Sequence, residues 1–237
     1  MSTSSRDGRL GVGVVGAGNV GPVLALALAG AGHAITGISA ISEASRERAE
    51  TLLPNVPVLE VPEVVRRSEL VLFAIPGDEL PGLVQGLTET QAWQPGQIAV
   101  HTAPEHGYGV FAPALASGVI PLALHPALVF TGTSLDLGRL VGASIAVTAP
   151  GPVLPIGQAL AVEMGAEPVI VAEADRAAYA EAVAAAMEFS RAVVRQGAEA
   201  LSGIGIARPD QVLGGLVRAA VEEELRAAAG RASDPGA

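Results

Sequence analysis

The 237 residues carry 24 acidic and 14 basic side chains, a formal charge of −10, and this balance repels nucleic-acid phosphates rather than neutralising them. Every basic residue is an arginine and there is no cysteine. That excludes lysine Schiff bases, a P-loop lysine, the Tyr-x-x-x-Lys pair of short-chain dehydrogenases, thiolate metal sites and disulfides, and it fits a cytoplasmic protein large enough to bury a core unaided.

Met1 to Arg9 is polar and predicts a disordered N-terminus. Short apolar runs then alternate with helical stretches, the pattern of a parallel sheet covered on both faces. Strands are predicted at Leu10–Val15, Ala34–Ile38, Val56–Leu59, Leu70–Ala74, Ile98–His101, Ile120–Leu124, Ser144–Thr148 and Pro168–Val171. Between the first two, Asn19–Ala31 reads as a helix ended by Gly32. Ser42 caps a helix that stops at Leu53 before Pro54, and Pro62 sits in the first turn of the next. From Asp175 the composition becomes alanine-rich, giving one long helix and, after Gly203, Gly205 and Pro209, a second ending near Ala229. The fold class is therefore α/β: a Rossmann-type, doubly wound, mainly parallel sheet over 10–172, then a small all-helical region over 173–229 and a disordered tail over 230–237.

Leu10 to Ser42 holds no charged residue, and Val23–Ala34 has the look of a signal-peptide core. Glycines and Pro22 interrupt the stretch, and its apolar second half falls short of the ~20 residues that span a bilayer. A buried strand followed by a buried helix accounts for every glycine, so no membrane partner is expected.

Gly16, Gly18 and Gly21 form Gly-x-Gly-x-x-Gly between an apolar strand and a helix. In that context the first glycine permits the tight turn, the second lets the backbone approach a pyrophosphate and the third lets helix and strand pack closely. Gly16, Gly18, Asn19, Val20 and Gly21 are thus the phosphate-facing turn, with helix-terminal amides directed at the anion. Ile75 and Pro76, just after a strand, border the same crevice. NAD-binding chains place a carboxylate about 20 residues further on to hold the adenosine ribose; here that position is Ser39. Ser39, Ser42 and Arg46, helped by Ser45 or Arg48, suit a 2′-phosphate instead, which points to NADP(H). The alternative is that Ser42 only caps a helix and the arginines form a solvated face.

Ligands of such sheets lie beyond the carboxyl ends of the strands. His101 and Thr102 follow one strand and His125 another, so these three are the candidate catalytic residues. With lysine absent, His125 is the first choice to donate a proton, because an ordinary imidazole titrates at about 6.5; His101 and Thr102 would orient nicotinamide or substrate. His33 reads as a helix-end residue and His106 as loop surface. No metal site is predicted.

Gly11–Gly21, Ser-Arg-Glu-Arg-Ala at 45–49, Val-His-Thr at 100–102, and Ala-Leu-His-Pro-Ala with Phe-Thr-Gly-Thr within 123–133 together resemble the Rossmann-like proteins that carry the domain DUF2520. The resemblance covers Arg9 to Tyr179. It implies kinship with ketopantoate and pyrroline-5-carboxylate reductases and prephenate dehydrogenases, with the glycine turn carrying cofactor and His125 and Phe130–Thr133 bordering the substrate. Family members continue with His and Asn on the long helix, where this chain has Ala180, Ala185, Glu188 and Phe189, and the helical region reads as shortened. The expectation is an NADP(H)-dependent oxidoreductase that reduces a small carbonyl or imine, a 2-keto acid such as ketopantoate or a cyclic imine. Its apolar C-terminal helices predict a homodimer. The competing reading is a non-catalytic NADP(H)-binding sensor or partner subunit.

Overall fold

The computed structural model describes residues 9–233. Of the ends predicted to be disordered, residues 1–8 and 234–237 lie outside that range, whereas 230–233, half of the expected tail, is helix.

Seven strands form one sheet in the order β2-β1-β3-β4-β5-β6-β7: β1 (Gly11–Val15), β2 (Ala34–Ser39), β3 (Leu70–Phe73), β4 (Ile98–His101), β5 (Ile120–Pro126), β6 (Ser144–Thr148) and β7 (Glu167–Ile170). All neighbours are parallel except β5 and β6. The central strands are continuous apolar runs because both faces are covered. On one face Val12, Val14, Leu72, Val100 and Leu122 meet Leu24 and Leu28 of α1 (Gly21–Gly30) and Leu160 of α6 (Leu154–Glu163). On the other, Val15, Val71, Phe73 and Ala99 meet Val64 of α3 (Val61–Arg66), Val84 of α4 (Leu80–Glu89), and Phe111 in the 3-10 segment Tyr108–Ser117. Each of the buried Val, Leu and Phe side chains contributes about 1.5–3 kcal/mol relative to exposure.

One predicted strand does not form. Within Val56–Leu59 only Val58 bridges the sheet, to Ile38. Pro57 has no N–H, so its carbonyl takes the Ile38 amide at 3.0 Å but no ladder can continue through it. The glycine-turn helix begins at Gly21 rather than Asn19. Ser42 caps α2 (Glu43–Leu52) as expected, its Oγ accepting the Ser45 amide at 3.2 Å. The linker between β5 and β6 holds α5 (Leu135–Leu140).

The chain divides into two compact units at Ala180/Glu181. The first turn of α7 (Arg176–Gly203) belongs to the sheet unit. The second unit is the rest of α7 and α8 (Pro209–Ser233), which extends past the expected end at Ala229. Inside that unit Gly197 faces Leu213, so the two helices approach where a larger side chain would stand in the way. Among the described residues no helix is long and apolar enough to cross a membrane.

Candidate functional site

From β1 the chain passes to β2 on one side and β3 lies on the other, so the sheet's switch point falls between β1 and β3. The glycine turn sits at that crevice. Gly16 has φ +102°, and a Cβ there would meet the Ala74 carbonyl at the end of β3; only glycine adopts this conformation without strain. A Cβ on Gly21 would run into the Gly16 carbonyl. Gly18 is different, because nothing lies within 4 Å of where its Cβ would be. The first and third glycines are thus demanded by the protein's own packing, while the middle one leaves open space.

That space belongs to a cleft of about 420 Å³ lined by Gly16, Gly18, Ser39, Ser42, Ile75 and Pro76 among others. Val20 stands at the N-cap of α1, and no side chain caps the helix there, so the first-turn amides and the positive end of the helix dipole remain available to an anion. Ser39 lies at the end of β2, buried, with its Oγ accepting the Gly16 amide at 3.1 Å. Asn19 turns from the cleft toward the Phe130 carbonyl, at 3.4 Å. Arg48 donates to the Ala17 carbonyl at 2.8 Å and braces the turn. Arg46 lines an adjoining hollow of about 570 Å³, with Ala40, Glu50, Glu60 and Glu63. Ser42 and Ser45 spend hydrogen bonds on each other's backbone at the start of α2, so their hydroxyls hold the cap as well as facing the cleft. An open second glycine, an uncapped helix start and a β2 end without a carboxylate fit a pyridine dinucleotide.

The segment Phe130–Thr133 is fixed from below. The buried Asp136 accepts the Thr131 and Gly132 amides at 2.7 and 2.9 Å, the Thr131 hydroxyl at 3.0 Å and Arg139 at 2.8 Å. Burial alone would raise the Asp136 carboxyl, but these donors hold it below its ordinary value. Gly132 lies beside Asn19 and Arg48, so this segment borders the glycine turn.

The histidines occupy the next part of the sheet end. His101 is the last residue of β4, in register with Ala123 of β5. It is fully buried, its ring centroid 5.6 Å from that of Phe111, and its Nε2 donates to the Gly107 carbonyl at 2.9 Å. Nδ1 is buried and has no hydrogen-bond partner among the described residues. His101 therefore holds the loop after β4 rather than presenting a ring nitrogen to a ligand, and the neighbouring Thr102 is buried as well. His106 is only partly exposed; its Nε2 donates to the Gly77 carbonyl at 2.9 Å and ties this loop to the segment after β3.

His125 lies inside β5, opposite Ala146 of β6, and not beyond the strand as its sequence position suggested. Its Nδ1 is 2.8 Å from the hydroxyl of Tyr179 on α7, and the two rings meet edge to face. Burial, reinforced by the Arg176 guanidinium, pushes the His125 imidazole down to about 4; burial does the same to His101. Both are therefore neutral at pH 7, so proton donation by His125 would have to start from a neutral ring.

Tyr179 and Arg176 were missed as site residues by the sequence reading. Arg176 is fully buried yet has no carboxylate within ion-pairing distance among the described residues. Its Nε donates to the Thr148 hydroxyl at 2.7 Å and its Nη2 to the Ala123 and Ala146 carbonyls, both at 3.0 Å, while Nη1 has no partner among the described residues. The guanidinium carbon lies 5.7 Å from the Tyr179 ring centre, within cation–π range. Their spacing of three on a helix was the available signal; that they would reach across β5 and β6 was not.

The switch-point crevice and glycine turn define a dinucleotide-type α/β protein. The chain belongs to the Rossmann-like domain family, whose profile matches residues 1–126, and the profile of the domain of unknown function DUF2520 matches 143–233. A sequence comparison with curated proteins returned no match. Among solved structures, a Bacteroides fragilis protein assigned as an NADP oxidoreductase superposes with TM-score 0.73 at 19% identity, over 91% of this chain and 80% of its own. An imine reductase from Pseudomonas sp. gives 0.68 at 18% identity, over 96% and 78%. The pyrroline carboxylate reductase of Plasmodium falciparum, with NADP bound, gives 0.61 at 12% identity, over 92% and 78%. At these identities the likeness is one of fold.

Proposed function

We propose that this protein is an NADP(H)-dependent oxidoreductase that reduces a small carbonyl or imine substrate, with the glycine turn holding the dinucleotide and His125 bordering the substrate. The observation that carries the reading is the open space at Gly18 beside an uncapped helix N-terminus at the switch point. The choice of NADP(H) rests on Ser39, where NAD-binding chains put a carboxylate, and on Arg46 in the adjoining hollow. Neighbours of the same fold described as an NADP oxidoreductase and as imine and pyrroline carboxylate reductases support the class. When bound, the dinucleotide supplies a hydride; the chain positions the acceptor and supplies the proton. Stopped-flow oxidation of bound NADPH across 2-keto acids and cyclic imines tests this. Turnover with at least one member is expected, and binding without turnover on any would favour a sensor.

The helical unit supports a homodimer. Phe189, Val193, Leu216 and Leu225 are all more than 60% exposed, and an apolar groove of about 450 Å³ runs past Val194, Leu213 and Val217. Contiguous apolar surface of this kind marks an association face. Sedimentation at the monomer mass would contradict it.

A further inference from the structure

We infer that Tyr179 is the group that hands a proton to the reduced substrate, with His125 as its hydrogen-bonded proton reservoir. The inference rests on the reductase reading.

Three groups that could carry a transferable proton stand at the carboxyl ends of β4 and β5. His101 is sealed, with its Nε2 committed to the Gly107 carbonyl. His125 is neutral at pH 7 and so has no imidazolium proton to give. Tyr179 keeps its phenolic proton across the working range, because burial raises its pKa further than the nearby Arg176 lowers it. Tyr179 is half-buried, and among the described residues its hydroxyl makes one hydrogen bond, with His125 Nδ1 at 2.8 Å.

The direction of that bond decides what the hydroxyl can do. If hydrogen sits on His125 Nδ1, the imidazole donates to the phenol oxygen and the phenolic proton is free to point at a ligand. The step then balances. With hydride supplied by a bound nicotinamide dinucleotide to the carbonyl or imine carbon, the π pair would move to oxygen or nitrogen, and that atom would take the proton from Tyr179 Oη. Tyr179 Oη would regain one from His125 Nδ1 as Nε2, which has no protein partner among the described residues, takes one from water and releases hydroxide; proton exchange with solvent would then return the ring to Nδ1–H. Arg176 acts through the other two. Its charge, 5.7 Å from the Tyr179 ring, opposes imidazolium at His125 and favours the transient phenolate. A functional role of this kind gives a reason for burying a guanidinium without a carboxylate, which is otherwise unfavourable.

The test uses full-length protein with ¹⁵N-labelled histidine, read by NMR at pH 7, beside the Tyr179→Phe variant. The His125 resonances are expected to report Nδ1–H, and Y179F is expected to keep its NADPH affinity while slowing single-turnover oxidation of bound NADPH by about 100-fold or more. The wild-type rate should stay level between pH 6 and 8, whereas an imidazolium donor would lose rate on the alkaline side of about 6.5. An Nε2–H tautomer, or an unchanged rate in Y179F, overturns the assignment of Tyr179 while leaving the reductase reading intact. Failure of wild-type protein to bind either dinucleotide overturns both.

Discussion

The two halves of the candidate site meet opposite demands. At the glycine turn, side chains are excluded: Gly16 and Gly21 have none because backbone lies against them, and Gly18 has none where a ligand would lie. At the ends of β5 and β6, side chains crowd together, with Arg176 buried, His125 against Tyr179, and His101 sealed behind the loop after β4. On the proposed reading the first half would bind through backbone amides, whose charge distribution does not titrate, whereas the second holds titratable groups whose behaviour follows burial. Changes to the first should therefore act on affinity, and changes to the second on pH dependence.

The largest expected effect is at Gly18. The Cβ of Gly18→Asp would have no described protein atom within 4 Å, so circular dichroism and Tm should stay near wild type, while a carboxylate placed against the phosphates should weaken NADPH binding by about 100-fold or more. Unchanged affinity would separate the turn from the cofactor. Next comes acid sensitivity of the second half. His101 and His125 are held near 4 in the fold, below the unfolded value of about 6.5. The unfolded chain thus binds more protons between these limits, so stability is full above about 6.5 and is lost as pH falls toward 4. Calorimetry should show Tm lower by roughly 10 °C at pH 4.5 than at pH 7, and an unchanged Tm would mean that neither ring is held neutral.

Smaller effects sharpen the contrast. Arg46→Ala should narrow the preference for NADPH over NADH by about fivefold, the order expected for one exposed phosphate contact, as read by fluorescence titration; an unaltered ratio would leave Arg46 a solvated surface residue. Arg176→Met removes the charge beside His125, so the imidazole should titrate above its present value of about 4 and still below 6.5, since burial remains. A fall, measured by NMR titration, would contradict the role given to the guanidinium.

The two halves also differ in how far the chain's own text exposes them. The glycine turn is local: Gly16, Gly18, Gly21 and the flanking apolar strand lie within a few residues, and their roles follow from backbone geometry alone. Seven of the eight expected strands need little more than their apolar runs and turn residues. Val56–Leu59 fails because Pro57 removes a ladder amide, a signal that was present and outweighed by the apolar pattern. The half around His125, Arg176 and Tyr179 is assembled from residues far apart in sequence. His125 and Tyr179 are separated by 54 positions, and Arg176 reaches carbonyls 53 and 30 positions away. No periodicity links such residues, and His125 looked like an ordinary imidazole because its neutrality comes from burial that only the packed sheet creates.

Titration of the purified protein with NADPH and with NADH, followed by fluorescence, tests the central claim most directly. The account predicts saturable binding of NADPH, tighter than that of NADH by about tenfold or more, the difference expected from a paired 2′-phosphate. No uptake of either dinucleotide at millimolar concentration would contradict it.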